Sequence, residues 1–253
     1  MAQPTVSQLL EAGVHFGHLK RKWNPAMAPY IFMEKNGTHI IDLNKTSVKL
    51  DEACAAARAM ARSGKKILFV ATKKQAQAIV ASEAQRVNMP YVTERWPGGM
   101  LTNFATIRKA VRKMDTIDKM KTDGTFQTMN KRERLMVTRQ REKLEKNLGS
   151  VADLTRLPSA IFIVDIVKEH IAVNEAQKLS IPTLAIVDTN GNPKEVDFAI
   201  PGNDDAASAI EIIVKAITNA IAEGLAERKS GKDEPPQEAQ EAVEASTEES
   251  TEA

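Results

Sequence analysis

Cysteine is nearly missing from this chain of 253 residues: Cys54 stands alone. That excludes an internal disulfide and any cysteine-built zinc cluster. Within the alanine-rich stretch from Ala53 to Ala61, Cys54 is expected to be a small buried filler. No apolar run approaches the roughly 20 residues of a transmembrane helix. Met1 to Leu10 lacks the basic start and apolar stretch of a signal peptide, so a cytoplasmic protein without a membrane partner is expected. No G-x-G-x-x-G follows a strand and there is no Walker loop, so the usual nucleotide cradles of α/β proteins are missing. No G-x-S-x-G elbow is present either. These absences argue against an enzyme, a small-molecule substrate and an organic cofactor.

What the chain has is charge, sorted by position. Residues 1–146 hold 27 Lys/Arg against 13 Asp/Glu, and residues 147–253 hold 8 against 20. The overall net of +2 conceals a basic half joined to an acidic one. A basic half of this kind suits a polyanionic partner, nucleic acid first among them. From Ser230 onward the chain has one Lys, eight acids and no aromatic residue, a composition that predicts a disordered acidic tail over 230–253.

Hydrophobic patterning predicts a doubly wound α/β fold. Apolar runs at Ile67–Ala71, Ala160–Val164 and Leu184–Val187 alternate with helical stretches at Gln75–Arg86, Ile171–Leu179 and Ala206–Ala226. Continuous apolar strands between amphipathic helices describe a parallel sheet covered on both faces. Ahead of it, Asn36-Gly37 between Ile31–Met33 and His39–Ile41 predicts a β-hairpin. The alternation breaks over Asn103–Leu148. There Phe104, Ile107, Val111 and Met114 recur at helical spacing, and Val137, Leu144, Leu148 and Val151 keep heptad phase. Arg141 stands where that phase calls for an apolar residue, and Asn130 with Glu133 fits a capping box. The prediction is an antiparallel coiled-coil hairpin whose arms reach about 25–30 Å at ~1.5 Å per residue. The expected organisation is residues 1–103 as N-terminal segment and first half of the α/β domain, 104–149 as the inserted hairpin, 150–229 as the second half, and 230–253 as the tail.

Candidate RNA contacts follow from charge beside aromatic rings. Lys20-Arg21-Lys22-Trp23 and Arg95-Trp96 hold both tryptophans of the chain, each next to basic residues. Arg and Lys neutralise phosphates and Trp can stack on an exposed base, although a core Trp with an Arg outside is as common. Lys73 and Lys74 open a helix after the first parallel strand, where the dipole and free N–H groups favour a phosphate. Arg108, Lys109, Arg112 and Lys113 stand at the root of the hairpin. For metal, the one candidate is a single divalent cation, Zn²⁺ or Mg²⁺, held by His18, Asp188 and Asp205. The competing reading is that an Asp after a strand caps a helix or forms a turn.

In order along the chain stand Gly13-Val14-His15-Phe16-Gly17-His18, Trp23-Asn24-Pro25, Ile40-Ile41-Asp42-Leu43 and Arg95-Trp96-Pro97-Gly98-Gly99-Met100-Leu101-Thr102-Asn103. Asp188-Thr189-Asn190 and Ile200-Pro201-Gly202-Asn203-Asp204-Asp205 follow. Together they resemble the small-subunit ribosomal protein two family from about residue 5 to 228, with slight departures at Ala71 and Gly191. The resemblance implies a flavodoxin-like body with an inserted helical hairpin and no catalytic activity. It implies a structural protein that binds small-subunit rRNA between head and body beside other small-subunit proteins. It also implies a docking role for the mRNA-binding ribosomal protein one in translation initiation. Asp42 and Phe32 are candidate docking contacts, with Phe32 expected in the core. Two other classes compete. A phosphoryl-acceptor receiver shares the sheet, but needs an acidic pair where Thr72-Lys73-Lys74 stands. A coiled-coil adaptor fits the hairpin and leaves the basic excess unexplained.

Overall fold

A computed structural model describes residues 3–233. Thr5 caps the short first helix, α1 (Val6–Glu11), its hydroxyl accepting from Gln8 N. A three-stranded antiparallel sheet follows, made of β1 (Phe16–Leu19), β2 (Ile31–Lys35) and β3 (Thr38–Ile41) in the order β1-β3-β2. Asn36 and Gly37 both take positive φ, 53° and 73°, as a two-residue hairpin turn of this type requires. The expected hairpin is present, and β1 joins it as a strand that the alternation of the sequence did not reveal.

Asp42 then caps α2 (Leu43–Arg62) by accepting from Asn44 N. The α/β body proceeds through β4 (Ile67–Val70), α3 (Lys74–Arg86) and β5 (Tyr91–Val92). The chain leaves it for α4 (Phe104–Thr122), α5 (Thr125–Thr128) and α6 (Lys131–Leu148). It returns as β6 (Ala160–Val164), α7 (His170–Lys178), β7 (Thr183–Val187), β8 (Phe198–Pro201) and α8 (Ala207–Asp233). The last five strands form one parallel sheet in the order β5-β4-β6-β7-β8, the flavodoxin-like winding. Its topological switch lies between β4 and β6, where α/β proteins concentrate their sites at the carboxyl ends of the strands.

Alternate residues of each strand feed two cores. Ile67, Phe69, Phe162, Leu184, Ile186 and Ile200 pack beneath α2, α3 and α8. Leu68, Val70, Ile161, Ile163, Ala185 and Val187 face α7, the segment Trp96–Leu101 and the base of the hairpin at Val111 and Leu148. Cys54 is a filler of the first core at 2% exposure. α2 and α8 cross closely, and a Cβ at Gly224 would stand 2.4 Å from Arg58 O. α8 runs on to Asp233, past the Ser230 at which disorder was expected to begin; the rest of the acidic tail lies outside the described residues.

α4 and α6 touch along an antiparallel seam containing Val111, Met114 and Ile117. Arg141, the polar break in the apolar phase, is answered by Asp118, Nε to Oδ1 at 3.0 Å. Glu133 reaches back to accept Asn130 N at 3.1 Å, as expected of the cap.

Candidate nucleic-acid interface

Four carboxylates converge beyond the strand ends. Asp165 follows β6, Asp188 follows β7, and Asp204 and Asp205 follow β8. Into them, from the end of β4, projects Lys73, with its Nζ 2.7 Å from Asp204, 2.5 Å from Asp205 and 3.5 Å from Asp165. Burial disfavours the ammonium, but hydrogen bonds to Asp204 and Asp205 and the charges of Asp204 and Asp165 outweigh it, and the Lys73 pKa rises. His18 approaches from β1, with Nδ1 2.9 Å from Asp188 and Nε2 3.5 Å from Asp205. The hydrogen bond with Asp188 raises its pKa against the opposing effect of burial. Asp204 is pushed up to about 7 by burial and then by repulsion from Asp188 and Asp165, which Lys73 does not fully offset.

This cluster repels phosphate. Lys73, expected to hold one, is instead a counter-ion whose side chain is 12% exposed, because three acids, Asp165, Asp204 and Asp205, claim its charge first. The turn-forming reading of Asp165 is also realised: Oδ1 accepts from Val167 N and Lys168 N while the residue adopts φ 68°. The metal candidates do assemble, with one substitution. Ligand atoms of His18, Asp188 and Asp204 lie within 4.8 Å of one another, whereas Asp205 is half exposed and turned to Lys73 and to the far nitrogen of His18.

The N-terminal sheet is tied to this end of the body. Thr189 Oγ1 accepts His18 N at 2.8 Å, Thr189 O accepts Asn24 N at 2.7 Å, and a Cβ on Gly17 would strike Thr189 at 2.6 Å. Trp23 leans on His39, ring centroids 5.1 Å apart. Arg21 and Lys22 are exposed, while Lys20 pairs with Glu34 at 2.7 Å. Phe32, expected in the core, is 70% exposed, since β2 turns it away from the body.

Trp96 corrects the stacking expectation. It is 7% exposed, packed in the second core, and its Nε1 donates to Glu175 Oε1 at 3.2 Å, so no base can reach its face. Arg108 is likewise spent internally, donating to the carbonyls of Ala152 at 3.2 Å and Leu154 at 3.0 Å, which pins α4 to the segment leaving α6. Lys74, Arg95, Lys109, Arg112 and Lys113 are exposed and unpaired with any acid among the described residues. Exposed guanidinium and ammonium groups at the foot of the helical hairpin form a surface suited to a phosphate backbone.

Two buried acids escaped sequence reasoning. Glu169 accepts the N–H of Thr72 at 3.1 Å and its hydroxyl as well, fixing the turn before Lys73. Glu175 holds the segment after Arg95. The available signal was a lone acid sharing a helix face with Ala172, Val173 and Ala176.

Residues 9–224 match the family model described as Ribosomal protein S2. A protein of Parabacteroides distasonis named small ribosomal subunit protein uS2 is 66% identical over 217 residues, 86% of this chain and 78% of the relative. Proteins of the same name from Azobacteroides pseudotrichonymphae (67% identical, 86% of this chain and 83% of the relative) and Flavobacterium johnsoniae (66% identical, 84% of each) agree. With a flavodoxin-like sheet, an inserted helical hairpin and matches of this extent, the chain belongs to the ribosomal protein S2 family, whose members are structural, non-enzymatic proteins of the small ribosomal subunit.

Proposed function

We propose that this protein binds small-subunit rRNA in the bacterial cytoplasm, sitting between head and body among other small-subunit proteins. Arg95, Lys109, Arg112 and Lys113 neutralise backbone phosphates at the root of the hairpin, joined by Arg21, Lys22 and Lys74. Lys73 and Arg108 serve from inside by fixing the elements that carry these cations. The hairpin acts as a coiled-coil arm. The observation that carries this reading is the set of exposed, acid-free cations gathered on one turn and the helix after it. Phosphate contacts would position the protein while RNA shape selects the site. Replacing Lys109, Arg112 and Lys113 together with Ala should leave the fold intact and empty most small subunits of this protein at physiological salt. Full occupancy would remove the arm from the account.

The mRNA-binding ribosomal protein one docks on the N-terminal sheet. Phe32 at 70%, Phe16 at 50% and Met33 at 47% exposure place an unusual amount of apolar surface on two short strands, β1 and β2. Phe32→Ala should release protein one from subunits that still hold this chain, and retention would exclude Phe32 as the contact.

One divalent cation belongs with His18, Asp188 and Asp204. A nitrogen and two carboxylates suit Zn²⁺ better than Mg²⁺, and Asp204 is buried within reach of the repelling charges of Asp188 and Asp165. A bound cation would supply the missing positive charge and tie β1 to β7 and β8. Zinc stoichiometry by elemental analysis, lost in His18→Ala, tests this; absence of zinc from the intact subunit protein contradicts it.

A further inference from the structure

The segment from Trp96 to Thr102 has no strand or helix to satisfy its backbone, yet it carries the chain from Arg95 into α4. Three of its backbone N–H groups and the Trp96 indole turn inward on a single side chain, while Met100 N donates to Pro97 O. Glu175 Oε1 accepts Trp96 Nε1 at 3.2 Å and Gly99 N at 2.8 Å. Its Oε2 accepts Leu101 N at 2.9 Å, Thr102 N at 3.1 Å and Thr102 Oγ1 at 3.2 Å. The carboxylate is 6% exposed and sits on α7, which is packed against the sheet through Ala172, Val173 and Ala176. Converging amides of this kind are what a loop uses to hold a phosphate. Here an anion of the protein fills the nest, so these amides are not free to bind a phosphate.

We propose that Glu175 is a positioning residue for RNA binding: its carboxylate fixes residues 96–102, and through them Arg95 and the root of α4, in the orientation that meets the rRNA backbone. This rests on the RNA-binding reading above. Burial alone would raise the Glu175 pKa, but the N–H groups of Thr102, Leu101 and Gly99 and the Trp96 indole outweigh it and hold the group ionised. Both oxygens are needed. In Glu175→Gln an amide nitrogen replaces one of them, and whichever way it turns, one set of donors faces another donor.

The test compares Glu175→Gln, Arg95→Ala and the double variant, as full chains binding small subunits stripped of this protein, across a salt series. Amide exchange is measured alongside. Glu175→Gln should unfold cooperatively, with β4, β6 and β7 as protected as before, while exchange at Gly99, Leu101 and Thr102 rises at least tenfold. Its affinity should fall about tenfold. The magnitude of its slope in log affinity against log salt should drop by about 0.7–0.9, the share of one phosphate contact. Arg95→Ala should cost much less in the Glu175→Gln background than alone, because the two act through one contact. Glu175→Asp, which keeps both oxygens one methylene shorter, should recover part of the loss. Should Glu175→Gln fail to fold, Trp96→Phe removes one donor alone and should weaken binding about twofold to threefold. Faster loop exchange with unchanged affinity and slope, while Arg95→Ala still weakens binding, would overturn the positioning role and leave the RNA reading standing. Unchanged binding by Arg95→Ala and by the triple arm variant would overturn both.

Discussion

Lys73 Nζ lies 2.7 Å from Asp204 Oδ1, an ammonium at the end of β4 against a fully buried carboxylate at the end of β8. The neighbouring lysine, Lys74, points to solvent, so two adjacent cations serve opposite purposes. Lys73→Ala should destabilise the fold by about 3 kcal/mol near pH 8, because it leaves buried carboxylates uncompensated. Lys74→Ala should leave stability unchanged and weaken RNA association. Urea melts of the two variants beside their salt-series binding separate these roles, and equal stability of the two would refute the assignment.

The same cluster predicts a pH dependence of definite sign. Asp204 titrates near 7 in the folded chain against an ordinary 3.8, so the folded state takes up its proton more readily. The stability that this proton contributes is complete below pH 3.8 and is lost as pH rises toward and through 7. His18, also raised, contributes in the same sense: in full below about 6.5, and lost as pH climbs through its folded value. Asp204→Asn should therefore gain stability relative to the parent as pH rises from 4 to 8. A flat difference between their denaturation midpoints over that range would show that the cluster is electrostatically balanced.

Glu175 runs the other way. Its carboxyl lies below the ordinary 4.5, so its contribution is present above that value and lost as pH falls through the folded pKa. Glu175→Ala should cost about 2–4 kcal/mol at pH 7, since it strands several inward N–H groups. The cost should shrink below pH 4, as measured by chemical denaturation.

Close packing sets a further expectation. Gly224 has φ in the ordinary helical range, and what excludes a side chain is Arg58 O, 2.4 Å from where its Cβ would stand. Gly224→Ala should cost about 1–3 kcal/mol by forcing α8 from α2, despite the better helix propensity of alanine. A stabilised variant in thermal melts would mean that the two helices yield freely.

The parallel sheet was legible because its strands are apolar on both faces, and the hairpin because Asn36 and Gly37 accept positive φ. The helices of the arm followed from spacings of three and four in α4. What sequence could not give was direction. Trp96 and Trp23 look alike beside their basic neighbours, yet Trp96 is sealed by α7 while Trp23 only leans on His39. Phe32 sits among apolar residues like a core position, but strand register turns it outward. Lys73 and Arg108 differ from the free cations around them only through partners 44 or more residues away, which no local pattern encodes.

The account turns on whether the exposed cations at the arm's root meet ribonucleic acid. The most direct measurement is the affinity of full-length chain for stripped small subunits as a function of salt, with Lys109, Arg112 and Lys113 intact or replaced by Ala. The account predicts a steep parent slope, reduced in magnitude by about 2 in the triple variant at roughly 0.7–0.9 per phosphate. Superimposable slopes and affinities would contradict it.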